Sequence, residues 1–150
     1  MKIVRHGLVS QEMDESSAVV DSVSKRHTES NAQIAAMDWL RAQHPNIALH
    51  TLHIGNERKA SYYAGYIMKR MGVLKGASDL FMAWPSGGYH GLFIEVKSKV
   101  GKPSAEQKAF LQRMRDVGYR AAICYGADEV ISTMSEYINY QPRSSSMPAS

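Results

Sequence analysis

Residues 78–98 read SDLFMAWPSGGYHGLFIEVKS, two apolar runs separated by Pro-Ser-Gly-Gly. This stretch constrains the fold more than any other. Strand-length runs rich in aliphatic and aromatic residues, broken by turn formers, read as a β-hairpin. Side chains alternate along an extended chain, so Leu92, Ile94 and Val96 share one side and Phe93, Glu95 and Lys97 the other. A strand this apolar therefore sets a carboxylate and an ammonium side by side on one face.

Register gives that pair a meaning. If the hairpin loop is Ser86, Gly87 and Gly88, Trp84 faces His90, Met82 faces Leu92, Leu80 faces Ile94 and Asp79 faces Glu95. Opposed residues lie on one face with Cβ atoms roughly 4.5–5.5 Å apart. Two carboxylates so placed repel, and each disfavours ionisation of the other. A divalent cation removes both penalties; Mg²⁺ is usually held by one or two carboxylates, with positions left for water and substrate phosphate. The Val96 carbonyl, between Glu95 and Lys97, is available as a third ligand. Lys97 shares the face and can act on an attacking water or neutralise charge developing on a phosphodiester. A two- or four-residue loop slips the register by one and breaks this reading. The same Glu-x-Lys also fits a structural ion pair at a solvated sheet edge.

The flanking sequence supplies the rest of an α/β layer fold. Residues 1–27 lack sustained periodicity and read as a loose arm. A helix is expected from Thr28 or Ser30, with Ile34, Met37 and Leu40 on its stripe, until Pro45 stops it. NIALHTLHIGN reads as a strand, and ERKASYYAGYIMKRMG as a helix through Tyr62, Tyr63, Tyr66, Ile67 and Met71 that stops at Gly72. After the hairpin comes a helix opened by Pro103-Ser104, its stripe Phe110, Leu111, Met114 and Val117, closed by Gly118. YRAAICY reads as a short buried strand, and ADEVISTMSEYINY as a last helix with Val130, Ile131, Met134, Tyr137 and Ile138 inward. Residues 141–150 form a tail too polar to bury anything, hence mobile. One domain over 28–140 results, with a mixed sheet flanked by helices and a parallel right-handed crossover between residues 91 and 125.

Charge and cysteine usage narrow the partners. The net charge is +4, but residues 57–120 hold twelve Lys/Arg against five Asp/Glu, while both ends are acidic. A basic middle suits a polyanion, because neutralising phosphates releases counterions; it also fits an ordinary solvated surface. Cys124 is the single cysteine, so no intrachain disulfide forms, which fits a reducing compartment. No Cys/His cluster has zinc spacing, and His50 and His53 would point to opposite faces of a strand. No run is long enough to span a membrane, and the first residues lack a signal-peptide core.

Together these residues resemble a known family. The order Gly72-x-x-x-Gly76-x-x-Asp79, Glu95-Val96-Lys97, Gly101-x-Pro103-Ser104, Gln107-x-x-Phe110-Leu111 and Gly118-Tyr119 is similar to the virus-type replication-repair nuclease (VRR-NUC) domain of the PD-(D/E)xK superfamily, in its stand-alone phage-type form. The likeness spans about residues 29–126. It implies a restriction-endonuclease-like core with a mixed sheet of about four strands, and a Mg²⁺- or Mn²⁺-dependent DNA endonuclease. Asp79 and Glu95 match the metal-binding acids, and Lys97 the lysine that acts on the nucleophilic water. Gln107 matches a supporting glutamine, and Glu29 a first-helix glutamate that joins the metal shell. Ser78 stands where the superfamily has proline, which touches backbone rigidity and not the ligands. The resemblance also implies branched DNA such as Holliday junctions as substrate and a homodimer. It implies no organic cofactor and no membrane, and the cytoplasm of a bacterial or phage-infected cell.

Several of these residues have a second reading. Gln107 is also the third position of a capping box begun by Ser104. Glu29 could serve a helix N-terminus, and Gly72 and Gly76 could be ordinary turn glycines. Tyr62, Tyr63 and Tyr66 fit a core or dimer interface more readily than a base-stacking platform. Lys75, Lys99 and Lys102 flank the site and suit phosphate contacts. The expectation is a structure-selective DNA endonuclease; the rival is a non-catalytic DNA-binding protein that retains the nuclease fold.

Overall fold

The structure, a computed structural model, describes the backbone of residues 9–55 and 61–140, and their side chains from Val23 onward except Lys25. The expected mobile tail lies outside the described residues. Helices α1 (Val9–Gln43) and α2 (Pro45–Ala48) lead to strand β1 (Thr51–His53) and helix α3 (Tyr62–Arg70). Strands β2 (Leu80–Met82) and β3 (Leu92–Lys97) follow, then α4 (Ala105–Asp116), β4 (Arg120–Tyr125) and α5 (Gly126–Ile138). The four strands form one mixed sheet in the order β1-β2-β3-β4, antiparallel except for the parallel β3–β4 pair joined through α4. This is the expected α/β fold.

The faces of β3 build two cores. Leu92, Ile94 and Val96 pack with Leu80 and Met82 against Ala32, Ala36 and Leu40 of α1 and Val130, Met134 and Tyr137 of α5. Phe93 packs on the other side against Phe110 and Leu111 of α4, with Phe81 stacked on it at 4.4 Å between ring centroids. The sheet is thus a filling between two helical layers.

The hairpin register is the expected one: Leu80 pairs with Ile94, Phe81 with Phe93 and Met82 with Leu92. Its tip differs. Ser86 and Tyr89 exchange both backbone hydrogen bonds around Gly87 (φ 59°) and Gly88 (φ 86°), a two-residue turn. Positive φ at both central positions is the type I′ signature, which glycine adopts without strain. The turn is one residue out of step with the strands, and the mismatch is absorbed between Met82 and Ser86. Trp84 and His90 accordingly do not pair; the His90 amide donates to the Gly118 carbonyl instead.

Other expectations are corrected. The first helix begins at Val9, so the arm read over residues 1–27 is helical from that point. Residues 23, 24 and 26–28 are exposed, so these turns bury no stripe for periodicity to reveal. Ile34 is 58% exposed; the inward stripe is Ala32, Ala36 and Leu40. The strand read over 46–56 shrinks to Thr51–His53, because Pro45 opens a helical turn instead of merely ending α1. Strand β4 is an edge strand with only Cys124 buried, and Val117 is exposed at the end of α4. Tyr62, Tyr63 and Tyr66 are exposed and form no core.

Candidate active site

Glu95 is the anchor. It lies in the middle of the sheet on β3, 1% exposed, and a carboxylate almost never reaches that depth without partners. Two are present. Lys97, two residues on, brings its Nζ to 3.0 Å from Glu95 Oε1, and Gln107 Nε2 donates to the same oxygen. Asp79 immediately precedes β2, and extending the observed register by one step sets it opposite Glu95. Its Oδ2 accepts from the Val96 amide at 2.7 Å, which fixes the carboxylate across the strand end.

Helices α1 and α4 close the site. Glu29 on α1 accepts the Ser98 amide on Oε1 at 3.1 Å, tying the helix to the strand just past Lys97. Gln107 does two things at once. Its backbone amide donates to Ser104 Oγ and its Oε1 accepts from the Ser104 amide at 2.8 Å, a complete capping box, while Nε2 remains free to reach Glu95. The cap and the contact with Glu95 are thus made by one side chain.

A cavity of about 110 Å³ beside the carboxylates is lined by Arg26, Glu29, Ser30, Gln33, His53, Asp79 and Val96. Arg26 and Gln33 are not among the residues singled out from the sequence, and His53 is considered there only beside His50 as a metal pair. His53 Nδ1 lies 2.9 Å from Gln33 Nε2 and 3.1 Å from the Asp79 carbonyl oxygen. It reaches the site only because β1 pairs with β2, a long-range event that leaves no local pattern.

Electrostatics follow from this crowding. Burial, then the Asp79 charge, pushes the Glu95 carboxyl up to about 7 against the opposing pull of Lys97; Glu29 adds to the rise. Burial works against the Lys97 ammonium, but the carboxylates of Glu95, Glu29 and Asp79 outweigh it and hold its pKa above the ordinary lysine value. The charges of three carboxylates therefore act together on Lys97.

The outlying candidates behave differently. Lys75 Nζ pairs with Glu106 Oε1 at 2.8 Å, both side chains well exposed, an arrangement worth little. Lys99 and Lys102 are exposed on the loop that follows β3. Gly76 (φ 84°) is explained by packing, since a Cβ there would lie 2.6 Å from the Glu106 backbone carbon. Buried Ser78, in the position of the superfamily's proline, leaves its Oγ without a hydrogen-bond partner, as does Ser98.

The VRR-NUC domain matches residues 11–128, most of the chain. The protein belongs to the VRR-NUC family. The match also covers much of the stretch that had been read as an arm. A solved structure described as a VRR_NUC domain protein is 29% identical and superposes with a TM-score of 0.67, covering 77% of this chain and 91% of that one. A second, described as a VRR_NUC domain, is 26% identical with a TM-score of 0.47, covering 73% and 97%. No curated protein matches the chain. VRR-NUC is a nuclease domain family, so nuclease is the class of activity this fold carries. Among the described residues no helix is long and apolar enough to cross a membrane.

Proposed function

We propose that this VRR-NUC protein is a divalent-metal-dependent endonuclease that hydrolyses phosphodiester bonds in branched DNA, such as Holliday junctions, and works as a homodimer. The single observation that carries the chemistry is Glu95, a buried carboxylate crowded by Asp79 and answered by one ammonium, Lys97. Branched substrate and two-fold pairing come from the family resemblance, and symmetric incision of a four-way junction suits a dimer.

The donor set fits Mg²⁺ or Mn²⁺. Carboxylate and carbonyl oxygens are the ligands such hard cations take. Asp79, Glu95 and the Val96 carbonyl would hold it, with Glu29 in reach of its outer shell. When bound, it supplies charge neutralisation at the phosphate and a more acidic water. The chain supplies the rest. Lys97 presents an ammonium to the attacking water and to the charge that develops on the phosphate oxygens. Gln107 orients the Glu95 carboxylate from a helix whose first turn is itself locked by the capping box. Strand β3 carries Glu95, Val96 and Lys97 on a rigid element. Lys99 and Lys102, flanking the site, are placed to meet the DNA backbone.

The non-catalytic DNA-binding reading draws on one observation: among the described residues, no three His, Cys, Asp or Glu side chains are grouped to hold a metal. Incubation with four-way junction DNA in Mg²⁺ or EDTA separates the two readings. Cutting by the wild type in Mg²⁺, abolished by EDTA and by Asp79→Asn with junction binding retained, supports the nuclease. Binding without cutting under all conditions rejects it.

A further inference from the structure

Helix α3 is built unlike the others. Alone among the described helices it buries no side chain, although Ser61 caps its first turn through the Ala64 amide at 3.3 Å. At helical spacing Tyr62, Tyr63, Tyr66, Lys69 and Arg70 fall on one arc, while Ala64, Ile67 and Met68, all half-buried, fall on the other. The three tyrosines are 96%, 72% and 52% exposed. Arg70 lies over the Tyr66 ring, Cζ 5.8 Å from its centroid. Aromatic rings in water interleaved with cations form a surface that needs a partner.

Charge selects the partner. From residue 58 to 78 the sequence carries five Lys/Arg and no Asp/Glu. Apposing this face to its copy on a second chain would bring together two segments of like net charge, with no carboxylate in either to answer it. A nucleic-acid strand meets both demands, phosphates for the cations and bases for the rings. Duplex bases are already stacked, so the rings suit unpaired ones. The chain runs from Arg70 to Asp79 in nine steps, which keeps the platform within about 30 Å of the carboxylates.

We propose that α3 is a stacking platform that holds an unpaired segment of the substrate beside the active site, Tyr62, Tyr63 and Tyr66 stacking on bases while Lys69 and Arg70 take phosphates. This rests on the nuclease reading for its substrate. Binding is measured in EDTA by fluorescence anisotropy, using a 20-nucleotide oligothymidylate and a duplex of the same length. Wild type is compared with the triple Tyr→Ala and triple Tyr→Phe variants at positions 62, 63 and 66. Loss of one stacked base weakens binding roughly fivefold to 150-fold. The alanine variant should lose at least about tenfold on the single strand and less than about twofold on the duplex. The phenylalanine variant should keep wild-type affinity. Equal loss on both DNAs, or unchanged single-strand affinity in the alanine variant, overturns the proposal. So does a dimer by sedimentation that the alanine substitutions split while single-strand affinity stays put, which gives the face to a second copy. If the binding pattern holds but the wild type cuts no DNA in Mg²⁺, the platform stands and the nuclease reading falls. If cutting holds and the pattern does not, the reverse is true.

Discussion

The two ends of the β2–β3 hairpin are made of the same strands and solve opposite problems. At the tip every group that matters is neutral and answered: Ser86 Oγ donates to the Tyr137 carbonyl and the Tyr137 hydroxyl donates to the Trp84 carbonyl, both at 2.6 Å. At the open end the charges of Asp79, Glu95 and Glu29 act on Lys97, and the hydroxyls of Ser78 and Ser98 on either side are buried without partners. A buried group left unsatisfied costs about 1–3 kcal/mol. The comparison teaches where the fold gains stability and where it gives some up. The tip is closed by neutral hydrogen bonds, and the other end gathers charged side chains around a buried carboxylate.

The sharpest way to break the comparison is at Lys97. Lys97→Ala should lower the single-turnover cleavage rate on a four-way junction by about 10²–10⁴-fold, the range for removal of a positioned proton-transfer or charge-stabilising group. Junction affinity in EDTA should stay within about threefold, since one lysine in a basic surface carries a small share of phosphate binding. A matching loss of affinity would make Lys97 a DNA contact and not part of the chemistry.

Next comes pH. Between the ordinary carboxylate value near 4.5 and its folded value of about 7, Glu95 keeps a proton that the unfolded chain has released. Unfolding free energy therefore falls as pH rises through that window and levels off above it. Lys97, held above its usual value, contributes stability that stays intact throughout. With allowance for solvent screening, urea denaturation in EDTA should show a loss on the order of 2 kcal/mol from pH 4.5 to 8. Glu95→Gln should flatten that slope. A slope unchanged by the substitution would remove Glu95 as its source.

The tip responds to a neutral change. Tyr137→Phe deletes the donor to the Trp84 carbonyl inside a core where Tyr137 is 1% exposed. The expected loss is roughly 1.5 kcal/mol, the same at pH 5 and pH 8, with cleavage unaffected. A pH-dependent loss would mean that the two ends are coupled through the strands.

What the sequence disclosed follows the range over which its signals act. The hairpin and the Glu95–Lys97 face were legible because alternation and a turn sit within twenty residues of each other; the strand register agrees although the turn has two residues and not three. Helices α4 and α5 were legible because each buries a stripe, Phe110 and Leu111 in one, Val130, Met134 and Tyr137 in the other. The turn of α1 over residues 23–28 was not, because its described side chains are exposed and leave nothing that a period could mark. Ile34 misled for a related reason: the buried positions are alanines, whose small side chains leave room for close approach of α1 to the sheet and give a weak apolar signal. The meeting of His53 with Gln33 was not legible because β1 and α1 bring them together from distant parts of the chain. The exposure of Tyr62, Tyr63 and Tyr66 escaped because aromatic residues at helical spacing read alike whether they face a core or a ligand.

The smallest effect tests how the open end is wired to its helix. Gln107 serves the capping box through Oε1 and its backbone amide, and serves Glu95 through Nε2. Ser104→Ala removes one of the two capping bonds and leaves Nε2 untouched, so thermal unfolding should report a loss of about 1 kcal/mol. Cleavage should change by less than about twofold, because the β3–β4 crossover still holds α4 in place. Gln107→Ala removes the other capping bond, the one accepted by Oε1, and the hold on Glu95 together. It should show a similar loss of stability with a roughly tenfold slower single-turnover rate, the cost of a loosened positioning group. If Ser104→Ala slows cleavage as much as Gln107→Ala does, the cap governs the geometry of the site and the side-chain bond to Glu95 is incidental. If neither affects the rate, Glu95 is fixed by Lys97 and the strand alone.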